Sequence, residues 1–250
     1  MNKHFDLNRF WLLVKLELFQ FRKGILITLD ITMGMLFFFG FLLAIIVDPS
    51  LIVYEHHQNY AFTLLAGGFV LSSLAFRDLS SPLKRSRFLT LPVSAFERFL
   101  SMWLLTCLGW VLLYSFTFWV FVQLANPLGR ALFGHVTFEE FDPLGPFALM
   151  MIKIYVVLQG IFLVGATQFR SYVLPKTLAT LIIVAIPMAV MLYLGVGERM
   201  EDNEMCLVES EKLVQSTSHI FWQGIVYAFW WGLAPLCWVL TYLGLREQEA

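Results

Sequence analysis

The chain alternates between long apolar runs and short polar or basic segments, and the length of each run limits what it can be. Six stretches, 24–47, 60–76, 100–124, 147–169, 174–196 and 220–243, carry almost no charge. Each approaches the ~20 residues that a helix needs to cross a hydrocarbon core of about 30 Å, the second being the shortest. The segment ahead of them, 5–23, is broken by Asp6, Arg9, Lys15, Glu17, Arg22 and Lys23 and is therefore not a span. At helical spacing Leu7, Phe10, Trp11, Val14, Leu18 and Phe21 share one face, and Arg9, Glu17 and Gln20 the other. This pattern predicts an amphipathic helix that lies along a membrane surface and turns directly into the first span. The competing placement is against the protein's own body.

Between the second and third runs lies the segment 77–99, RDLSSPLKRSRFLTLPVSAFERF, which gathers Arg77, Lys84, Arg85, Arg87 and Arg98. Ser81-Pro82 reads as the start of a short helix, because serine caps free amides and proline is pre-set for the first helical position. Ser94-Ala95-Phe96-Glu97 fits a capping box just before the third run. A short basic helix hung between two spans is the expectation.

Composition sharpens the class. The 250 residues are 59% hydrophobic and 14% charged, with a mean hydropathy of +0.73. Ordinary soluble domains have about 45–50% apolar and about 25% charged residues. An all-α polytopic membrane protein, one transmembrane domain over 1–250, is the reading. The net charge of -1 matters less than its distribution. Of the 17 Lys and Arg, only Arg130, Arg199 and Lys212 fall in outer loops and Lys153 within a span, if the N-terminus is cytoplasmic. The positive-inside rule then puts both termini in the cytoplasm.

Other features add less. Cys107 and Cys237 fall in spans and Cys206 stands alone in an outer loop, too scattered for a disulfide framework. The first apolar run is too long for a cleavable signal and has no cleavage site after it, so the first span is expected to stay. Asp30 is the one acid inside a span, either functional or simply solvated near the interface, and Lys153 lies where snorkelling is cheap. His56, His57 and His135 match no metal-ligand spacing. The acidic loop 197–219 reads as a solvated face more than a cation attractor. Gly68 with Ser72, and Ala185 with Ala189, permit close helix approach, and Pro187 and Pro235 predict kinks. Thr106, Gln123, Gln159, Thr167 and Gln168 are scattered polar positions with no assigned substrate. There is no G-x-x-x-x-G-K-[ST] loop, H-E-x-x-H or G-x-S-x-G. The chain is thus read as neither an enzyme nor a cofactor carrier, and any ATP hydrolysis belongs to another chain.

An amphipathic N-terminal segment, six spans with both ends inside, and a basic inner segment between spans two and three together resemble the permease subunit of a bacterial ABC transporter of the type-2 exporter class. Residues 76–104 are similar to a stretch of such permeases in which a leucine-proline-x-serine-x-x-glutamate pattern precedes the third span; here it is Leu91, Pro92, Val93, Ser94, Ala95, Phe96 and Glu97. The resemblance implies two permease copies, or two homologous permeases, in the bacterial inner membrane with separate ATPase subunits that hold the ATP and Mg. It maps the coupling helix onto 81–89, with Ser81, Lys84, Arg85, Arg87, Ser94 and Glu97 coupling to the ATPase or lipid headgroups. The elbow helix maps onto Leu7, Phe10, Trp11, Val14, Leu18 and Phe21. No nucleic-acid partner is implied. A membrane enzyme would need converging buried ionisable groups, which are scarce; a non-transporting membrane sensor or scaffold is the alternative.

Overall fold

The computed structural model describes residues 6–43, 53–77, 93–132, 137–169, 171–183, 186 and 231–247. Helix α1, Leu7–Met35, opens on Asp6, whose side chain accepts the Asn8 amide at 2.9 Å, and continues as π-helical turns over Leu36–Leu43. It runs through Lys23 and Gly24 unbroken, so the elbow and the first run, expected as two elements joined by a turn, are one helix. No proline or unpaired cap stands at that junction to stop it.

After β1, Val53–Tyr54, comes α2, His57–Ser73. Helix α3 starts as Ala95–Trp103, widens into π-helical turns over Leu104–Gly109 and resumes as Trp110–Leu132. Strand β2, Thr137–Phe138, pairs in parallel with β1, Val53 opposite Thr137 and Tyr54 opposite Phe138. Then follow α4, Pro146–Gln168, α5, Val173–Ile183, and α6, 231–247. Helix α6 continues through Pro235; Ala185, Pro187 and Ala189 lie outside the described residues.

The architecture is all-α, with this one short strand pair added. Among the described residues, Ala95–Ala131 and Pro146–Gln168 are long and apolar enough to cross a membrane. Helix α2 has 17 residues, about 25 Å at 1.5 Å per residue. Helix α3 continues to Leu132, past the Leu124 limit read from the sequence, although Pro127 removes one ladder hydrogen bond. Tertiary contacts on its inner side hold it there, with Asn126 bonded to two partners and Gly129 closed against the Phe138 ring.

Helix α2 is the centre of the bundle, packing on α1, α3 and, most extensively, α4. Two adjacent glycines make this possible. A Cβ on Gly67 would overlap the Trp110 ring of α3 and the Thr32 methyl of α1, and one on Gly68 would overlap the Tyr155 ring of α4. Both rings are then pinned by hydrogen bonds to carbonyls: Trp110 Nε1 donates to Leu64 O at 3.1 Å and Tyr155 Oη to Thr106 O at 2.6 Å. Phe69 and Phe162 stack at 4.3 Å, an aromatic contact worth about 0.5–1.5 kcal/mol beyond its area.

Polarity is distributed inside out. Ser72, Ser101, Thr106 and Gln159 are fully buried, whereas Leu112 is 70% exposed, Ile183 68% and Phe116 64%. Of the scattered polar positions, Thr106 and Gln159 bond to each other at 2.9 Å inside the bundle and Thr167 is buried, while Gln123 and Gln168 face outward. Asp30 and Lys153 are both exposed, on different helices.

Gly68→Ala is expected to destabilise the fold by about 1–3 kcal/mol, because Tyr155 is buried and cannot retreat. Gly34→Ala, where an added methyl meets open space, is expected to be neutral or to stabilise by about 0.5–1 kcal/mol. Thermal unfolding of the two variants in the same detergent checks the contrast.

Candidate functional site: the joint between α1 and α3

The capping box is present in full at the start of α3. Ser94 Oγ accepts the Glu97 amide at 3.2 Å, and Glu97 Oε2 accepts the Ser94 amide at 2.9 Å. Glu97 does more than cap. Its Oε1 accepts from Arg9 Nη2 at 2.7 Å, Arg9 Nε at 3.2 Å and the Asp6 amide at 3.1 Å, all from the N-terminal end of α1. The side chain of Glu97 is wholly buried and that of Arg9 is 28% exposed. Four N–H donors on one carboxylate favour its charged form and offset the cost of burying it.

A second charged set lies about two turns further along α1 and next to Glu97 on α3. Glu17 of α1 and Arg98 of α3 are buried at 5% and 2% exposure. Ser101 Oγ donates to Glu17 Oε2 at 2.6 Å and also lies 2.9 Å from the Arg98 carbonyl. Arg9, Glu17, Glu97 and Arg98 bring two basic and two acidic side chains to the joint, beside Asp6. Apolar contacts surround it: Ala75, Phe76, Ala95, Phe99 and Met102 pack with Leu163, Ala166 and Leu245.

Of the residues singled out by sequence, Ser94 and Glu97 sit in this joint, while Ser81, Lys84, Arg85 and Arg87 lie outside the described residues. The expected apolar face of α1 is split. Val14 is buried and Phe10 and Phe21 are half-buried, but Leu7 is 72% exposed, and Trp11 and Leu18 are also exposed. Arg9 and Glu17, expected on the opposite solvated face, point into the protein instead. The reason is tertiary: α3 presents Glu97 and Ser101 to that side of α1, and charge complementarity overrides the local hydrophobic stripe. On the outward side Lys15 Nζ lies 5.5 Å from the Trp11 ring centroid and the Arg22 guanidinium 3.9 Å from that of Phe19. Basic heads over aromatic rings suit a boundary between apolar and aqueous media.

At the other end of α3 a polar latch ties the segment before α2 to the segment around β2. His56 Nε2 donates to Asn126 Oδ1 at 2.8 Å, since Asn126 Nδ2 already donates to Glu139 O at 3.1 Å. The Glu139 amide in turn donates to Tyr54 O at 3.2 Å, and Asn59 Nδ2 donates to Tyr54 Oη at 2.7 Å. Edge-on rings of Tyr54 and Phe118 flank His56, leaving its Nδ1 buried without a hydrogen-bond partner. Of the three histidines weighed as metal ligands, His56 is thus committed to Asn126, His57 packs edge-on against Phe147, and His135 lies outside the described residues. Burial pushes the His56 imidazole below its ordinary value, the Asn126 hydrogen bond opposes the shift, and the charge of His57 adds to it. Burial also pushes the Tyr54 phenol up to about 12.

No protein-family model, curated protein or solved structure matches the chain.

Two predictions follow from these geometries. Arg9→Leu is expected to destabilise more than Glu97→Gln, because it strands a buried carboxylate, at a cost of about 3–5 kcal/mol. Glutamine still serves the capping box, and Arg9 can turn to solvent. Combining the two substitutions should recover part of the Arg9→Leu loss, and a double-mutant cycle on thermal unfolding measures the coupling. For the latch, the lowered histidine pKa means that the unfolded chain binds the proton more tightly. Stability is therefore full above about pH 6.5 and is lost as pH falls through the folded value. Midpoint unfolding temperatures at pH 7.5 and pH 5.5 should differ in the parent and differ less in His56→Gln.

Proposed function

We propose that the chain is the membrane-spanning permease subunit of an ATP-driven ABC exporter, set as a dimer in the bacterial inner membrane with both termini cytoplasmic. Six helices would cross the bilayer, and a separate ATPase subunit would supply the energy. The observation that carries this reading is the Ser94–Glu97–Arg9 joint. It clamps the start of α3, where the basic segment 77–99 enters, to the N-terminal end of α1. A push delivered to Lys84, Arg85 and Arg87 would reach α3 through a rigid cap and α1 through an ion pair, so both helices would move together.

Three further features support the membrane placement. Two helices have the length and apolarity of spans. Large apolar side chains face outward while hydroxyl and amide groups pair inside the bundle. The positively charged residues are concentrated on one side by the sequence topology. The lack of a phosphate-binding loop in the sequence is consistent with hydrolysis by a partner chain.

One observation favours the alternative of a non-transporting membrane scaffold or sensor. Among the described residues, polar side chains inside a single copy pair with one another, Tyr60 with Ser115 and Gln159 with Thr106, as they would in a packed bundle. An exporter of this kind must place its path between two copies.

Affinity purification from membranes separates the readings. A stoichiometric nucleotide-binding chain is expected to accompany this one, and the purified chain alone is expected to bind no ATP. Replacing Lys84, Arg85 and Arg87 by Glu should leave insertion intact and lower ATPase co-purification or ATP turnover in nanodiscs. Saturable ATP binding by the lone chain, or a stable complex with no nucleotide-binding subunit, overturns the proposal.

A further inference from the structure

The apolar runs 24–47 and 147–169 each carry a single charged residue, Asp30 and Lys153, opposite in sign. Both side chains are exposed, and each stands on an apolar surface. Leu26, Ile27 and Ile31 around Asp30 are more than half exposed, and so is Met150 beside Lys153. Neither charge has an ion pair or a hydrogen-bonding side chain among the described residues. On a lipid-facing side such groups are costly, and the ionisable residues of spans almost always turn inward or pair with one another.

Their heights in the bundle match. By sequence each lies near the start of its run, and because the two runs cross in opposite directions in the membrane reading, the charges would sit toward opposite edges. The packing on α2 places them differently. Thr32, two residues beyond Asp30, would meet a Cβ on Gly67, and Tyr155, two residues beyond Lys153, would meet one on Gly68. Since these glycines are adjacent and two helical residues rise about 3 Å, Asp30 and Lys153 stand within about one helical turn of the same level. That level is the closely packed centre of the bundle, where Trp110 of α3 also lies on Gly67. Gly34, one turn past Asp30 on the same face, has open space where a side chain would be, so a further helix can come close to α1 there.

We infer that two copies of this chain meet along α1 and α4, with Asp30 of one copy paired to Lys153 of the partner subunit. The inference names the contact in the dimer proposed above and rests on that reading. Rotation about an axis that runs along the bundle leaves every height unchanged, so charges can pair across such an axis only if they stand at one level. Asp30 and Lys153 meet that condition. In a two-fold dimer the contact is self-complementary, and the reverse pair closes with it. Lipid alone would leave both charges in hydrocarbon, because headgroups lie at the edges of the bilayer and not at the level of Gly67. Pairing between copies removes both exposures at once, and the apolar side chains around each charge pack together and keep water from the ion pair.

Two differently tagged copies expressed together test the contact, one carrying Asp30→Cys and the other Lys153→Cys. Oxidation of the membranes is expected to join the two tags by a disulfide, and neither variant should join a parent copy. Charge reversal is the second measurement. Asp30→Lys or Lys153→Asp alone is expected to lower co-purification of the tags by about tenfold, the order set by one desolvated charge pair, and both reversals in one chain should restore it. Restoration separates a direct pair from a folding defect, which the second reversal would deepen. A missing disulfide, or a double reversal no better than the single ones, overturns the inference. If the tags still co-purify without the disulfide, the dimer stands on another surface and this contact alone falls. Resistance of the chain to alkaline carbonate extraction is read in parallel; a chain that carbonate releases takes the membrane reading down together with the contact.

Discussion

The bundle depends on how closely three helices can approach α2. Gly67 and Gly68 remove side-chain volume on adjacent faces of one helix, so that Trp110 of α3 and Tyr155 of α4 lie directly on its backbone. In a lipid environment no hydrophobic force pulls apolar helices together, and contact must come from close packing and interhelical hydrogen bonds. The glycines permit the first, and the bonds from Trp110 to Leu64 O and from Tyr155 to Thr106 O provide the second. Tyr60, Tyr114, Phe118 and Phe141 continue the same aromatic layer toward the strand pair. An arrangement this dense tolerates little change in volume.

From that centre, two polar clamps hold the ends. The Glu97 joint binds α1 to the beginning of α3, and the His56–Asn126 latch binds the loop before α2 to the far end of α3. Both close a long stretch of chain through a buried polar contact, which is costly to leave half-made. This gives α3 a fixed position at each extremity while its outward surface, with Leu112 and Phe116, stays apolar and unpacked. A helix anchored at its ends and greasy along its side is suited to carrying displacement from one end to the other.

Local chemistry made part of this legible in the sequence. The Ser94–Glu97 cap could be read because serine and glutamate at that spacing bond within four residues, with no knowledge of the rest of the fold. The apolar runs announced helices for the same reason. What could not be read was set by distant partners. Glu97 finds Arg9, 88 residues away, and Glu17 finds Ser101 at a separation of 84. The apolar stripe of α1 was real, but no periodicity could disclose that its charged flank would be the side turned inward. The extension of α3 past Pro127 depends on contacts with Phe138 and Glu139, beyond the end of the helix. The basic triad Lys84, Arg85 and Arg87 was legible as a cluster, and its surroundings are not among the described residues.

The π-helical turns at Leu104–Gly109 put α3 out of phase with itself. Below them, Glu97 and Ser101 face α1; above them, Trp110, Tyr114 and Phe118 face α2 and the aromatic layer. Each residue of an α-helix turns the chain by about 100°. Deleting one position from the wide turn would therefore rotate everything from Trp110 to Leu132 relative to the capped end, and a whole row of rings would leave the core at once. A deletion beyond Leu132 would leave that phase unchanged. The reading frame of this helix, more than the identity of any single side chain in it, is what couples its two ends.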